Sequence, residues 1–248
     1  MSAGRGFTAE LVAVHDDPAI GDERIRVTFD DGEVRELRLH DYAELYALPG
    51  VYEQIVQDRL ACASPQRLAA MLAAAADGLS WARNGVRVFD LAAGNGVSGE
   101  ALAAEGLVPV LGSDIVPQAR DAALRDRPGL YGDYLTLDLL ALTAPQRATV
   151  AAAQANALSC VAPVGDHPSQ LPPAALTAAA QLLAPDALVV YMHDPALGVP
   201  DPVTEQLWSR SGTSHADQLA RVRYVHRHTV NGEPYAMEGV VWRLRRDG

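Results

Sequence analysis

The segment VFDLAAGNGVSG, residues 88–99, joins an apolar run containing Asp90 to a glycine-bearing turn and to a helix that starts near Ser98. In that geometry the turn's backbone N–H groups and the positive end of the helix face whatever lies above the strand, which suits an anion. Gly94 and Gly96 lack the Cβ atoms that would hold a ligand off the main chain. Further on, GSDI places Asp114 at the end of the next apolar run, where a carboxylate can accept two hydrogen bonds from a ribose diol. A third run, LTLDLL, puts Asp138 where it can accept a hydrogen bond from an exocyclic adenine amine. Acids at three successive strand ends point to the crevice in which open α/β sheets hold ligands.

Four histidines invite functional readings. His167, beside Asp166, falls in the loop after the fourth parallel strand, and His193, beside Asp194, ends the fifth. Either could take a proton from a hydroxyl or amine; the competing reading is a hydrogen-bonding loop histidine. His226 and His228 share one face of a strand, but no third ligand stands at a fitting distance, so they read as sheet-surface residues and no metal is expected. Cys62 and Cys160 have neither CxxC spacing nor a histidine cluster, which argues against a disulfide framework or a zinc site.

These residues need a scaffold. From Val86 onward short apolar runs alternate with helical segments, the pattern of βαβ units around a parallel sheet. Strands are expected at 86–91, 107–113, 135–138, 157–162 and 187–193, with helices at 98–104, 117–125, 145–153 and 173–183. The rhythm then breaks: 223–230 and 235–244 are strand-like runs joined by Asn231-Gly232, a preferred hairpin turn. Ahead of the sheet, alternation within residues 1–40, with Asp30-Asp31-Gly32 between two runs, predicts a small β-meander. Two short helices should follow around Tyr42–Tyr46 and Val51–Leu60, and Ser64-Pro65 should open a helix running to about Ala76.

VFDLAAGNG resembles the first motif of the class I S-adenosylmethionine-dependent methyltransferases, VLGSDIVPQARDAA their second strand with its ribose-binding acid, and YLTLDL their adenine-contacting acidic motif. LLAPDALVVYMHDP is similar to the segment where that family often carries Pro-Gly-Gly, and the likeness runs from Tyr42 to the C-terminus. It implies a Rossmann-like, seven-stranded, mostly parallel sheet with an antiparallel C-terminal hairpin over 41–248, a helical lid at 41–80, and the meander as an N-terminal addition. It also implies that Asp90, Ala92 and Gly94-Asn95-Gly96 hold the methionine portion of the cofactor, Asp114 with Ile115 the ribose, and Asp138 with Leu139 the adenine. Ala162 and Pro163 would face the transferable methyl group. In the lid, Tyr42, Tyr46 and Tyr52 could close over the sulfonium and Arg59 could pair with the methionine carboxylate, with core packing as the competing explanation. APVGDHPSQLPP, residues 162–173, matches no substrate motif of the family, so the methylated atom, O, N or C, stays open.

Two other readings share the motifs. A protein of this fold could bind the cofactor without transferring methyl. Gly94-Asn-Gly-Val-Ser-Gly99 also satisfies GxGxxG, the mark of a nicotinamide-binding oxidoreductase, although Asp90 inside the strand and the final hairpin both argue against that.

Composition narrows the partners. The chain has 248 residues and a net charge of −11, too negative for a polyanion partner, so a small-molecule substrate is expected rather than nucleic acid. All 20 basic residues are Arg, which excludes Schiff-base chemistry at lysine. There is no signal-peptide pattern and no apolar run fit to span a membrane, so a cytoplasmic location is the expectation. The meander either shapes the substrate opening or forms a homodimer contact.

Overall fold

A computed structural model describes residues 6–12, 23–166 and 170–247. Among the described residues ten strands form two sheets. β1 (Phe7–Val12), β2 (Arg24–Phe29) and β3 (Val34–Arg38) make an antiparallel meander, with the Asp30–Gly32 turn between the last two. The larger sheet has the order β6-β5-β4-β7-β8-β10-β9: β4 (Arg87–Leu91), β5 (Val108–Asp114), β6 (Asp133–Thr136), β7 (Ala157–Pro163), β8 (Asp186–His193), β9 (His215–His228) and β10 (Pro234–Arg245). Its first five strands run parallel, while β10 pairs antiparallel with both β8 and β9. This is the Rossmann-like seven-stranded sheet with an antiparallel finish that the alternation and the Asn-Gly turn predict.

Alternation along β4 sorts the layers, because successive side chains leave opposite faces of a strand. Val88 joins Leu68 and Leu72 of α2 (Ser64–Gly78) and Leu102 of α3 (Val97–Ala104). Phe89 and Leu91 join the other core, with Leu176 of α6 (Pro173–Ala180) and Trp208 of α7 (Glu205–Arg210). α4 (Pro117–Asp126) follows β5, and α5 (Ala144–Ala152) follows β6, opened by a Thr143/Gln146 capping box. α7 and the first eight residues of β9 were not expected from the sequence. Short, half-exposed elements of that kind carry little periodicity.

The meander does not stand apart. Ile25, Val27, Phe29 and Leu37 share one buried cluster with Leu45 of α1 (Tyr42–Ala47) and with Val51, Ile55 and Leu60. Residues Glu53–Arg59 form a π-helix, a wide turn often found at functional sites. Sheet and lid thus fold as one cap, and two arginines at the end of α4 are among the groups that latch it to the rest of the molecule. Arg127 bonds Glu53 and the Asn95 carbonyl, while Asn95 donates to Glu53, and the Arg125 guanidinium bonds the Tyr46 carbonyl. Among the described residues, no helix is long and apolar enough to cross a membrane.

Candidate functional site

The chain leaves β4 through residues that need unusual backbone angles: Ala92 at φ 54°, Gly94 at 55° and Gly96 at 92°. Gly94 is pinned on both sides, donating its N–H to Asp114 (3.0 Å) and accepting from the Tyr134 hydroxyl (2.6 Å). A Cβ at this position would collide with the Tyr46 hydroxyl. The space that the missing side chain leaves is therefore taken by the cap, whereas the sequence suggested that a ligand would lie there.

Asp90 also departs from expectation. Its side chain leaves the same face of β4 as Val88 and is fully buried, accepting hydrogen bonds from Ser98 (2.6 Å) and Tyr131 (2.7 Å) through Oδ2, while Oδ1 has no partner among the described residues. It does not line the cavity described below. Burial, opposed by those two hydroxyls, pushes its carboxyl up to about 6. Because the folded value lies above the ordinary 3.8, folding favours the protonated form: that stability is complete below about pH 4 and is lost as pH rises through about 6. Asp90→Asn, which mimics the protonated carboxyl, should remove this slope and stabilise the protein at pH 7.5 by up to about 3 kcal/mol. Chemical denaturation of both proteins at pH 4.5 and 7.5 checks this; parallel pH dependences would rule it out.

One cavity of about 950 Å³ lies over the carboxyl ends of the parallel strands and beneath the cap. That is near the upper end of the roughly 300–1,000 Å³ usual for small-molecule sites. Of the residues singled out from sequence, it brings together Ala92, Asp114, Ile115, Asp138, Leu139, Ala162, Pro163, Tyr42, Tyr46 and Tyr52. The three tyrosines form a continuous aromatic wall, with ring centroids 5.8 Å (Tyr42–Tyr46) and 5.2 Å (Tyr46–Tyr52) apart. Burial raises the Tyr46 and Tyr52 phenols well above their ordinary range, so at neutral pH they are uncharged π faces. Asp114 is also raised by burial, against the amides of Val116 and Gly94 that hydrogen-bond it. Asp138 lies two residues beyond β6, where Leu140 N–H caps its Oδ1.

Other candidates lie elsewhere. Gly94 lies against Tyr46, Gly96 against Arg127, Leu130 and Tyr131, and Asn95 bonds Glu53; none of the three lines the cavity. Arg59 is exposed at the end of the π-helix and Asp166 is exposed in its loop, so neither meets the cavity. His193 is buried and does not line this cavity, although its neighbours Met192 and Asp194 do. His167 lies outside the described residues.

His226 needs the opposite correction. It is no sheet-surface residue but part of the cavity wall, with Nδ1 2.6 Å from Ser64 Oγ. Burial, then the Arg227 charge, lowers its imidazole to about 3, so the ring is neutral. Tyr235, Met237 and Arg227 complete that end of the wall, and none of them carried a sequence signal. Among the described residues, no group of three or more His, Cys, Asp or Glu could hold a metal.

No protein-family model matches the chain, and no curated protein matches it. Solved structures do. One described as a candidate RNA methyltransferase from Pyrococcus horikoshii aligns with a TM-score of 0.50 at 15% identity, covering 72% of this chain and 82% of that one. Magnesium protoporphyrin IX methyltransferase from Synechocystis, solved with bound SAM, aligns at 0.46 and 18% identity, covering 73% and 80%. YcgJ from Bacillus subtilis aligns at 0.49 and 12%, covering 73% and 99%. The sheet order and the first of these alignments give the chain the class I methyltransferase fold.

Proposed function

We propose that the protein transfers a methyl group from S-adenosylmethionine to an O, N or C atom of a small molecule in the cytoplasm. The observation that carries this reading is that Asp114 and Asp138, from the ends of neighbouring strands, face one cavity together with the Tyr42, Tyr46 and Tyr52 wall.

The residues present fit the nucleoside end of that cofactor. Asp114 spends lone pairs on two backbone amides and keeps others for a ribose diol, while Asp138 and Leu139 offer an acceptor and an apolar surface to adenine. The uncharged tyrosine faces suit a sulfonium, which they attract through their quadrupoles. When bound, the cofactor supplies an already activated methyl, so the protein's share is alignment and exclusion of water, which the latched cap provides. The −11 charge argues against nucleic acid as the acceptor.

Isothermal titration with S-adenosylhomocysteine and with NAD tests the cofactor assignment. Binding of the first with silence from NAD is expected; the reverse would transfer the chain to the dinucleotide enzymes. Mass spectrometry over phenols, amines and carboxylic acids, seeking a gain of one methylene, separates catalysis from cofactor binding alone.

A further inference from the structure

The far end of the cavity holds a polar cluster that the cofactor reading leaves unused. The strands that carry it, β8, β10 and β9, lie on the opposite half of the sheet from β5 and β6. Three strand steps separate β5 from β8, about 14 Å at roughly 4.8 Å per step. At this end His226 and Tyr235 meet edge to face, with ring centroids 6.2 Å apart.

A β-bulge puts His226 there. Tyr235 pairs with Arg227 but Ala236 pairs with Val225, so His226 is the extra residue of β9, and bulges of this kind re-aim a side chain. Its carbonyl is tied to Ala63 N–H (2.8 Å), and its Nδ1 belongs to a chain running through Ser64 Oγ to the Tyr224 hydroxyl (2.8 Å). Nε2 has no protein partner among the described residues and is not sealed from the cavity. The Tyr235 hydroxyl donates its only hydrogen to Asp194, so toward the cavity it can only accept.

On the methyl-transfer reading above, we propose that His226 and Tyr235 form the acceptor subsite, and that it takes an uncharged, largely apolar molecule through a single hydroxyl. Tyr235 requires a donor. With the ligand hydroxyl's hydrogen given to Tyr235, the same oxygen accepts from Nε2–H, in the tautomer whose Nδ1 accepts from the Ser64 hydroxyl. Charge is excluded because both ions in this wall are already engaged: Arg227 with Glu23 at 2.6 Å, and Asp194 with Tyr235 and Ala196 N–H. Leu39, Val56, Pro65, Met192 and Met237 make most of the remaining surface apolar, with the His40 ring and the Cys62 thiol set among them.

Binding to the protein saturated with S-adenosylhomocysteine tests this, using para-phenylphenol, its methyl ether and biphenyl carboxylate as probes. The phenol should bind about tenfold more tightly than either analogue, since each leaves a buried partner unmatched. Tyr235→Phe and His226→Gln should each reduce that preference several-fold without moving S-adenosylhomocysteine affinity, which also shows that the variants are folded. Equal binding of the three probes, tighter binding of the carboxylate, or a preference untouched in both variants would overturn the inference and leave the methyl-transfer reading standing. Silence toward S-adenosylhomocysteine in the wild type would remove that reading, and the acceptor assignment with it.

Discussion

Asp114→Ala should weaken S-adenosylhomocysteine binding by more than about 100-fold, through two losses that add. A ribose diol would lose its carboxylate, at roughly 1.5–3 kcal/mol for each charged hydrogen bond, where about 2.7 kcal/mol already corresponds to 100-fold. The glycine loop would lose an anchor as well, because one carboxylate oxygen holds Gly94 N–H and the other Val116 N–H. Asp114→Asn separates the two contributions. The amide keeps the shape and one acceptor but turns an NH₂ group toward one of those backbone donors, so it should fall between wild type and alanine. Titration calorimetry reads all three proteins. An alanine variant within about threefold of wild type would remove Asp114 from the site, since even one net hydrogen bond of ~1 kcal/mol exceeds that margin.

The scaffold was legible because each parallel strand announces itself locally: an apolar run, a turn, then a helix start. β4, β5, β7 and β8 accordingly lie within a residue or so of their expected bounds. Cavity-lining residues were legible where chain position alone sets direction, as at Asp114, which closes β5 and lines the cavity. Asp90 shows the limit. It stands one residue before the end of β4, and the alternation of faces turns it toward Ser98 and Tyr131 instead of the cavity.

Two further misses come from irregular backbone. An ordinary α-helix through 52–59 would stack Tyr52, Val56 and Arg59 on one stripe, but the π-helix shifts the phase, so Val56 lines the cavity while Arg59 faces solvent. Strict alternation over 223–230 puts His226 and His228 on one outer face, and the bulge opposite Tyr235 and Ala236 breaks that register. Neither irregularity leaves a composition signal. Both bring the cap and the hairpin together: Leu60 accepts from His228 N–H (2.7 Å), and Ala63 donates to His226.

That junction contains the residue whose loss should cost the most stability. Arg227 and Glu23 form an ion pair of 2.6 Å with side chains only 5% and 2% exposed, joining β9 to the residue that precedes β2. A buried pair of this kind adds little over apolar packing, yet removing one partner strands the other charge at a cost of about 3–5 kcal/mol. Arg227→Met should therefore lower the melting temperature by about 10 °C, at roughly 2–4 °C per kcal/mol for a chain of this size. Glu23→Leu combined with Arg227→Met should recover most of that loss, because no ion is then left without its counterpart. Calorimetry on the two single variants and the double gives the coupling directly. Equal melting temperatures for Arg227→Met and wild type would mean that solvent reaches Glu23 and that the cap is not sealed against the hairpin. A double variant as unstable as the single would instead place the cost in lost side-chain volume. The expected recovery assigns it to charge, and with it the requirement that Arg227 stay committed to Glu23 and unavailable to an anionic ligand in the cavity.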